Sequence, residues 1–202
     1  MQILSDDELH QIISKTVQQV LGSAKPSQTP VDSPKQDQIL LPAAPSPDKK
    51  SVAIGTDHGG VDLKEILKTE LTGWGYAIID CGTNTTESVD YPDIALAVSE
   101  LVAEGSAWRG VVIDGAGIGS CMSANKVPGI RAAMCYDYAT AVNSREHNDA
   151  NVLTLGAGLI GVNLAKQILK TWLTTEFAGG RHAKRVEKII SIEKSYAKEG
   201  KS

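Results

Sequence analysis

A β-branched run that meets an acid and then three alternating glycines constrains this chain more than any other stretch. Residues 111–126 read Val-Val-Ile-Asp-Gly-Ala-Gly-Ile-Gly-Ser-Cys-Met-Ser-Ala-Asn-Lys. Val111, Val112 and Ile113 have the character of a buried strand, and Ser120 that of an N-cap opening a small-residue helix. Between them Gly115, Gly117 and Gly119 make a loop whose peptide N–H groups can crowd an anion, because glycine accepts positive φ and lets a ligand approach the backbone. Asp114 stands at the strand-to-loop junction. The plainer reading is a tight, glycine-rich strand–helix turn. The stretch fails the spacing of a dinucleotide fingerprint, since Ser120 stands where its last glycine belongs, and no G-x-x-x-x-G-K-[ST] loop serves a nucleoside triphosphate, so both sites are disfavoured.

Strand and helix signals alternate from Ser51 onward. Strands are read at 52–55, 76–80, 110–113, 130–134 and 152–155. Apolar stripes at helical spacing separate them, such as Leu63, Ile66, Leu67 and Leu71, or Ile94, Ala95, Val98, Leu101 and Val102. Further helices are read up to about 146, from 162 to about 175, and from about 183 to 198. Repeated βα units predict an α/β fold with a five-stranded parallel sheet covered on both faces, whose ligands bind at the carboxyl ends of the strands.

Before Ser51 the pattern is different. Residues 5–21 predict an amphipathic helix: Ser5 with Glu8 forms a capping box, and Leu9, Ile12, Ile13, Val17, Val20 and Leu21 make one apolar stripe closed by Gly22. Residues 23–50 carry six of the eight prolines and no glycine, the composition of an extended, semi-rigid spacer. The chain is thus read as a helix at 1–22, a proline-rich linker at 23–50 and a folded domain at 51–202.

Charge and cysteine usage narrow the class. The 202 residues carry a net charge of −4, which points away from nucleic acid, although seven Lys/Arg against three Glu gather from Gly179 onward. Three cysteines without CxxC spacing argue against a disulfide framework or a zinc site and favour a reducing cytoplasm. No run approaches the roughly 18 apolar residues of a membrane span, and the start lacks the pattern of a secretory signal.

Polar residues at the expected strand and helix ends form one candidate set: Asp57 and His58 after strand one, Asp114 and its loop after strand three, His147 and Asn148 at a helix end, and Arg181, His182 and Arg185 in the tail. Topology is expected to bring them to one rim. Taken singly each has a structural reading: a helix cap for Asp57, a dipole-favoured cation for His147, a solvated face for the arginines.

Several ordered stretches resemble the type B ribose-5-phosphate isomerase family, which includes the galactose-6-phosphate isomerase subunits. They are Gly-Thr-Asp-His at 55–58, Asp-Tyr-Pro at 90–92, the glycine loop through Ser-Ala-Asn-Lys at 123–126, Gly-Ile-Arg-Ala at 129–132, Glu-His-Asn-Asp at 146–149 and Gly-Gly-Arg-His-Ala-Lys-Arg at 179–185. The resemblance spans residues 51 to about 192. It implies a Rossmann-like three-layer sandwich and a homodimer or dimer of dimers with active sites built between subunits. It also implies interconversion of aldose and ketose phosphates without a metal or other cofactor. By the same resemblance Asp57 contacts the sugar, and His58, Arg181 and Arg185 bind its phosphate with His182 beside them. His147 assists ring opening, Asn148 contacts substrate, and the Gly115–Ser120 backbone holds the enediolate. Tyr91 and Asn125, from two of the matching stretches, join the substrate-binding set. Three positions depart from the family pattern: Asp114 stands where many members have the proton-moving cysteine, Ala116 where a Thr or Ser is common, and Gly158 where ribose-5-phosphate enzymes usually carry a further phosphate-binding arginine.

The chemistry requires the same residue types. Ring opening needs an acid/base that titrates near neutrality, which suits the imidazole of His147. Proton transfer beside the carbonyl needs a base, which Asp114 can supply if burial raises its pKa; the Cys121 thiol is the rival. Ribose 5-phosphate is the expected substrate, a hexose, tetrose or deoxy-sugar phosphate the alternatives, and a non-catalytic sugar-phosphate-binding cargo protein the other class. The tethered helix resembles an encapsulation peptide of bacterial microcompartment cargo, so residues 5–21 are expected to dock on shell or cargo.

Overall fold

The computed structural model describes residues 51–199. The amphipathic helix read at 5–21 and the linker read at 23–50 lie outside the described residues.

Five strands alternate with helices: β1 (Ser51–Thr56), α1 (Val61–Gly73), β2 (Ala77–Asp80), α2 (Tyr91–Ala103), β3 (Arg109–Asp114), α3 (Ile118–Ala124), β4 (Ala132–Met134), α4 (Tyr138–Glu146), β5 (Val152–Gly156), α5 (Val162–Thr174) and α6 (Arg181–Glu199). The strands form one sheet in the order β2-β1-β3-β5-β4, every neighbouring pair parallel. Alternation along the strands builds two cores, one on each face. Val52, Ile54, Val111 and Ile113 meet Leu63, Leu67 and Leu71 of α1 and Ile168, Leu169 and Trp172 of α5. Ala53 and Val112 meet Ala95 and Val98 of α2 and Ala124 of α3. The expected α/β sandwich with a five-stranded parallel sheet is the observed one.

Most element ends agree with the sequence reading within one residue, and two differ by two residues. Strand four starts at Ala132 rather than at 130, because Ile130 turns back to the Val127 carbonyl and the Arg131 amide donates to the Asn151 side chain at 2.7 Å. The last helix begins at Arg181 rather than 183, and the His182 amide donates to the Gly179 carbonyl at 3.0 Å.

A fully buried lysine ties the first helix to the segment after β2. Lys64 Nζ donates to both Asp80 oxygens at 2.8 and 3.1 Å and to Asn84 Oδ1 at 2.6 Å. Burial pushes the Asp80 carboxyl up, but Lys64 and Lys68 outweigh it and hold the group below its ordinary value. Asp57 and His58 precede α1, and the same segment carries Val89, whose amide donates to His58 at the carboxyl end of the sheet.

Candidate active site

The chain leaves β1 for the edge strand β2 and returns to the other side of β1 as β3. This is a topological switch point, where open parallel sheets bind ligands outside their carboxyl ends. Asp57 and His58 flank it from β1, and Asp114 with the glycine loop from β3. Asp57 is buried and accepts the Gly59 amide at 2.9 Å. His58 is exposed, and its Nδ1 accepts the Val89 amide at 3.4 Å. An acceptor at Nδ1 leaves Nε2–H to donate in the neutral ring.

The glycine loop is built on Asp114. One carboxylate oxygen accepts the amides of Ala116, at 2.7 Å, and of Gly117; the other accepts the Ser120 amide at 2.9 Å. Ser120 is therefore not the N-cap that the sequence suggested. Gly117 is the N-cap, at φ +79°, and Asp114 reaches up from the strand to satisfy first-turn donors that α3 cannot. A Cβ at Gly117 would lie 2.9 Å from the Leu155 carbonyl carbon, so the glycine is required for close approach as well as for φ. Gly119 is required by Tyr91, whose ring would stand 2.5 Å from a Cβ there. Gly115 and Gly158 are joined by the Gly158 amide donating to the Gly115 carbonyl at 3.0 Å.

This geometry overturns one expectation about Asp114. Burial does push its carboxyl up, but the Ser120 side chain and the amides of Gly117, Ser120 and Ala116 outweigh it and hold the pKa below the ordinary value. A carboxyl held below its unfolded value of about 3.9 adds stability that is complete above that value and lost as pH falls through the lower folded value. Urea midpoints of the chain and of Asp114→Asn, compared from pH 7 downward, are therefore expected to converge once the pH drops below about 4. A gap that widens on acidification would contradict the assignment.

His147 is the C-cap of α4, and its Nδ1 lies 2.8 Å from Asn143 Nδ2. Asn143 Oδ1 accepts from Asn148 Nδ2 at 3.2 Å, which turns the Asn143 NH2 toward His147 and leaves His147 Nε2–H outward in the neutral ring. The His147 ring stacks on that of His182 with centroids 4.1 Å apart and planes 6° apart. Arg181 Nε donates to His182 Nε2 at 3.2 Å, which requires that nitrogen to be unprotonated. Burial, then His147, Arg181 and Arg185, pull the His182 pKa down in the same sense. Arg185 follows one turn along α6.

The expectation that all these groups meet at one rim is corrected. Helix α4 runs antiparallel to the strands, so its C-terminal His147 and Asn148 lie beside the amino ends of β4 and β5; the neighbouring Asp149 is bonded to Arg131 ahead of β4. Within one chain, Asp57, His58, Tyr91 and Asp114 stand at the carboxyl end of the sheet, and His147, Asn148 and His182 stand at the amino end. Asn125 lines a cavity with Arg131, Ser144 and Asn148. Its amide donates to the Cys121 and Ala132 carbonyls and accepts the Ala132 amide, clamping α3 to β4. Cys121 Sγ points to the Ala132 carbonyl at 3.5 Å. Sequence reasoning passed over Asn143 and gave Asp149 no role beyond its place in the Glu-His-Asn-Asp stretch; the signal for the first is its position four residues before His147 on one helix. Among the described residues no group of three or more His, Cys, Asp or Glu could hold a metal, and no helix is long and apolar enough to cross a membrane.

The fold and the switch-point site define a doubly wound parallel α/β protein with a carboxylate-anchored glycine loop. Residues 52–189 match the Ribose/Galactose Isomerase family, and the chain belongs to it. It is 44% identical over 144 residues to ribose-5-phosphate isomerase B of Escherichia coli K12, covering 71% of this chain and 97% of that one. It is 44% identical over 140 residues to D-erythrulose-4-phosphate isomerase of Pectobacterium atrosepticum, covering 69% and 92%. The solved ribose-5-phosphate isomerase B of Clostridium thermocellum superposes with a TM-score of 0.71 at 54% identity, over 72% of this chain and 99% of that one.

Proposed function

We propose that this chain interconverts an aldose and a ketose phosphate, ribose 5-phosphate with ribulose 5-phosphate, through an enediolate and without a metal ion. The observation that carries this reading is a chain of the isomerase family with Asp57, His58 and Asp114 gathered at its switch point. His147 moves a proton between the anomeric hydroxyl and the ring oxygen, which opens the sugar. Asp114 takes the C2 proton and returns it to C1. Three loop amides already serve Asp114, so the first-turn amides of Ile118 and Gly119, which have no intrahelical acceptor, are the donors for the enediolate oxygen. His58, Arg181 and Arg185 grip the phosphate, whose binding energy positions the reacting carbons.

Two copies complete each site in this reading, His147, Asn148, Arg181 and Arg185 of one meeting Asp57, His58 and Asp114 of the other. Supporting it are the division of the groups between opposite ends of the sheet and an exposed apolar stripe on α6 at Ile189, Ile192 and Tyr196. Residues 5–21 are the proposed docking helix for a microcompartment shell or cargo, a reading supported by their amphipathic pattern alone.

Proton NMR in heavy water tests the activity. Ribose 5-phosphate should lose its C2 proton signal as ribulose 5-phosphate appears. A four-carbon substrate is the second reading, favoured by the equal identity to the erythrulose-phosphate relative and by Gly158, which offers no side chain. Exchange with D-erythrulose 4-phosphate alone would select it. Failure of both, and of hexose and deoxy-sugar phosphates, would leave a sugar-phosphate-binding protein.

A further inference from the structure

We infer that Asp149 is a positioning residue for His147: its carboxylate, shared between Arg131 and Arg145, fixes where α4 ends and so holds the His147 ring on His182. The inference rests on the isomerase reading for its kinetic consequence.

Among the described residues Asp149 is the single non-glycine with positive φ, at +47°. A glycine would take that conformation after a helix end without strain. An acid there points to work for the carboxylate, and its bonds show what the work is. Oδ2 accepts Arg131 Nη2 at 2.9 Å and Oδ1 accepts Arg145 Nη1 at 2.8 Å. The Asp149 carbonyl accepts Arg131 Nε at 2.9 Å, and its amide donates to the Arg145 carbonyl at 3.1 Å. Both arginines are themselves anchored. Arg131 leads into β4, with its amide on Asn151; Arg145 is buried, bonded to the Ala150 carbonyl and set 5.7 Å over the Trp172 ring in the core. Among the described residues no other carboxylate lies within ion-pair distance of either guanidinium.

Between these anchors the chain must leave the helix at His147 and reverse at Asp149. Asn143 fixes the rotation of the imidazole through Nδ1, but it cannot fix where the helix stops. The stacking on His182 depends on that stop. Displacing a reacting group by about 1 Å can cost roughly a hundredfold in rate.

The test uses the full chain carrying 15N-labelled histidine, together with steady-state kinetics on ribose 5-phosphate. Asp149→Gly accepts the backbone conformation and loses both ion pairs. It is expected to lose the mutual ring-current shifts of His147 and His182 and about 10- to 100-fold in kcat, with KM within about twofold. Asp149→Asn keeps the turn and one acceptor, and should restore part of both. If Asp149→Gly does not fold, Arg131→Met removes two of the contacts with Asp149 in place and should give the same split. Wild-type kcat and ring-current shifts in a folded Asp149→Gly or Arg131→Met variant would overturn the inference. The ring-current measurement needs no substrate. Loss of those shifts in a protein whose wild type turns over no sugar phosphate would retain the positioning and remove the isomerase reading.

Discussion

His147→Ala is expected to lower kcat on ribose 5-phosphate by about 10²- to 10⁴-fold while changing KM little. The ring stacks on a neutral His182 and makes no ion pair, so its removal should take away the proposed proton transfer and leave the proposed phosphate grip of Arg181 and Arg185 in place. A structural loss would look different, lowering the urea midpoint together with activity. The substrate supplies a sharper control. A four-carbon sugar 4-phosphate has its O4 esterified and cannot close a five-membered ring, so it needs no ring opening. His147→Ala should therefore spare turnover of D-erythrulose 4-phosphate, where the wild type accepts it, and abolish that of ribose 5-phosphate. Equal losses on both would move His147 from ring opening to the later proton transfer.

Asp114→Asn is expected to have a comparable effect by a different route, and to weaken the fold as well. The side chain accepts three amides through its two oxygens. An asparagine keeps one acceptor and turns an N–H toward a donor already there, a cost of about 3 kcal/mol from lost charged hydrogen bonds. Deuterium uptake at C2 should fall by about 10²- to 10⁴-fold. Asp114→Cys separates the two roles, because a thiolate can carry the proton but cannot bridge the three amides. It should recover deuterium uptake relative to Asp114→Asn and still melt early. Near-normal exchange in Asp114→Asn would leave the carboxylate as the loop's anchor alone.

The sheet was legible in the chain because its signals are local. Val111-Val112-Ile113 alternates between the two cores as a buried strand must, and Leu63, Leu67 and Leu71 keep helical spacing against one face. Ser120 misled because a serine before a helix looks the same whether it caps the first turn or sits inside it; the acid four residues before the helix does the capping. The raised pKa expected of Asp114 failed for the same reason. Burial can be guessed from a strand end, but three amides folding back on one carboxylate cannot. The division of the site was hidden in the direction of α4, since the motif order along the chain carries no record of which end of the sheet each motif reaches. In the Arg131–Asp149–Arg145 cluster the Arg145–Asp149 pair has helical i,i+4 spacing, but the Arg131–Asp149 pair spans 18 positions and has no periodic signature.

The separation of Asp114 from His147 across the sheet has a genetic consequence. If two copies share their sites, defects in the two groups lie on different halves of each site and can complement in trans. Mixing Asp114→Asn with His147→Ala, each dead alone, would let half of the randomly re-formed pairs be hybrids. Each hybrid would hold one doubly defective site and one built wholly from sound residues, recovering about a quarter of wild-type activity.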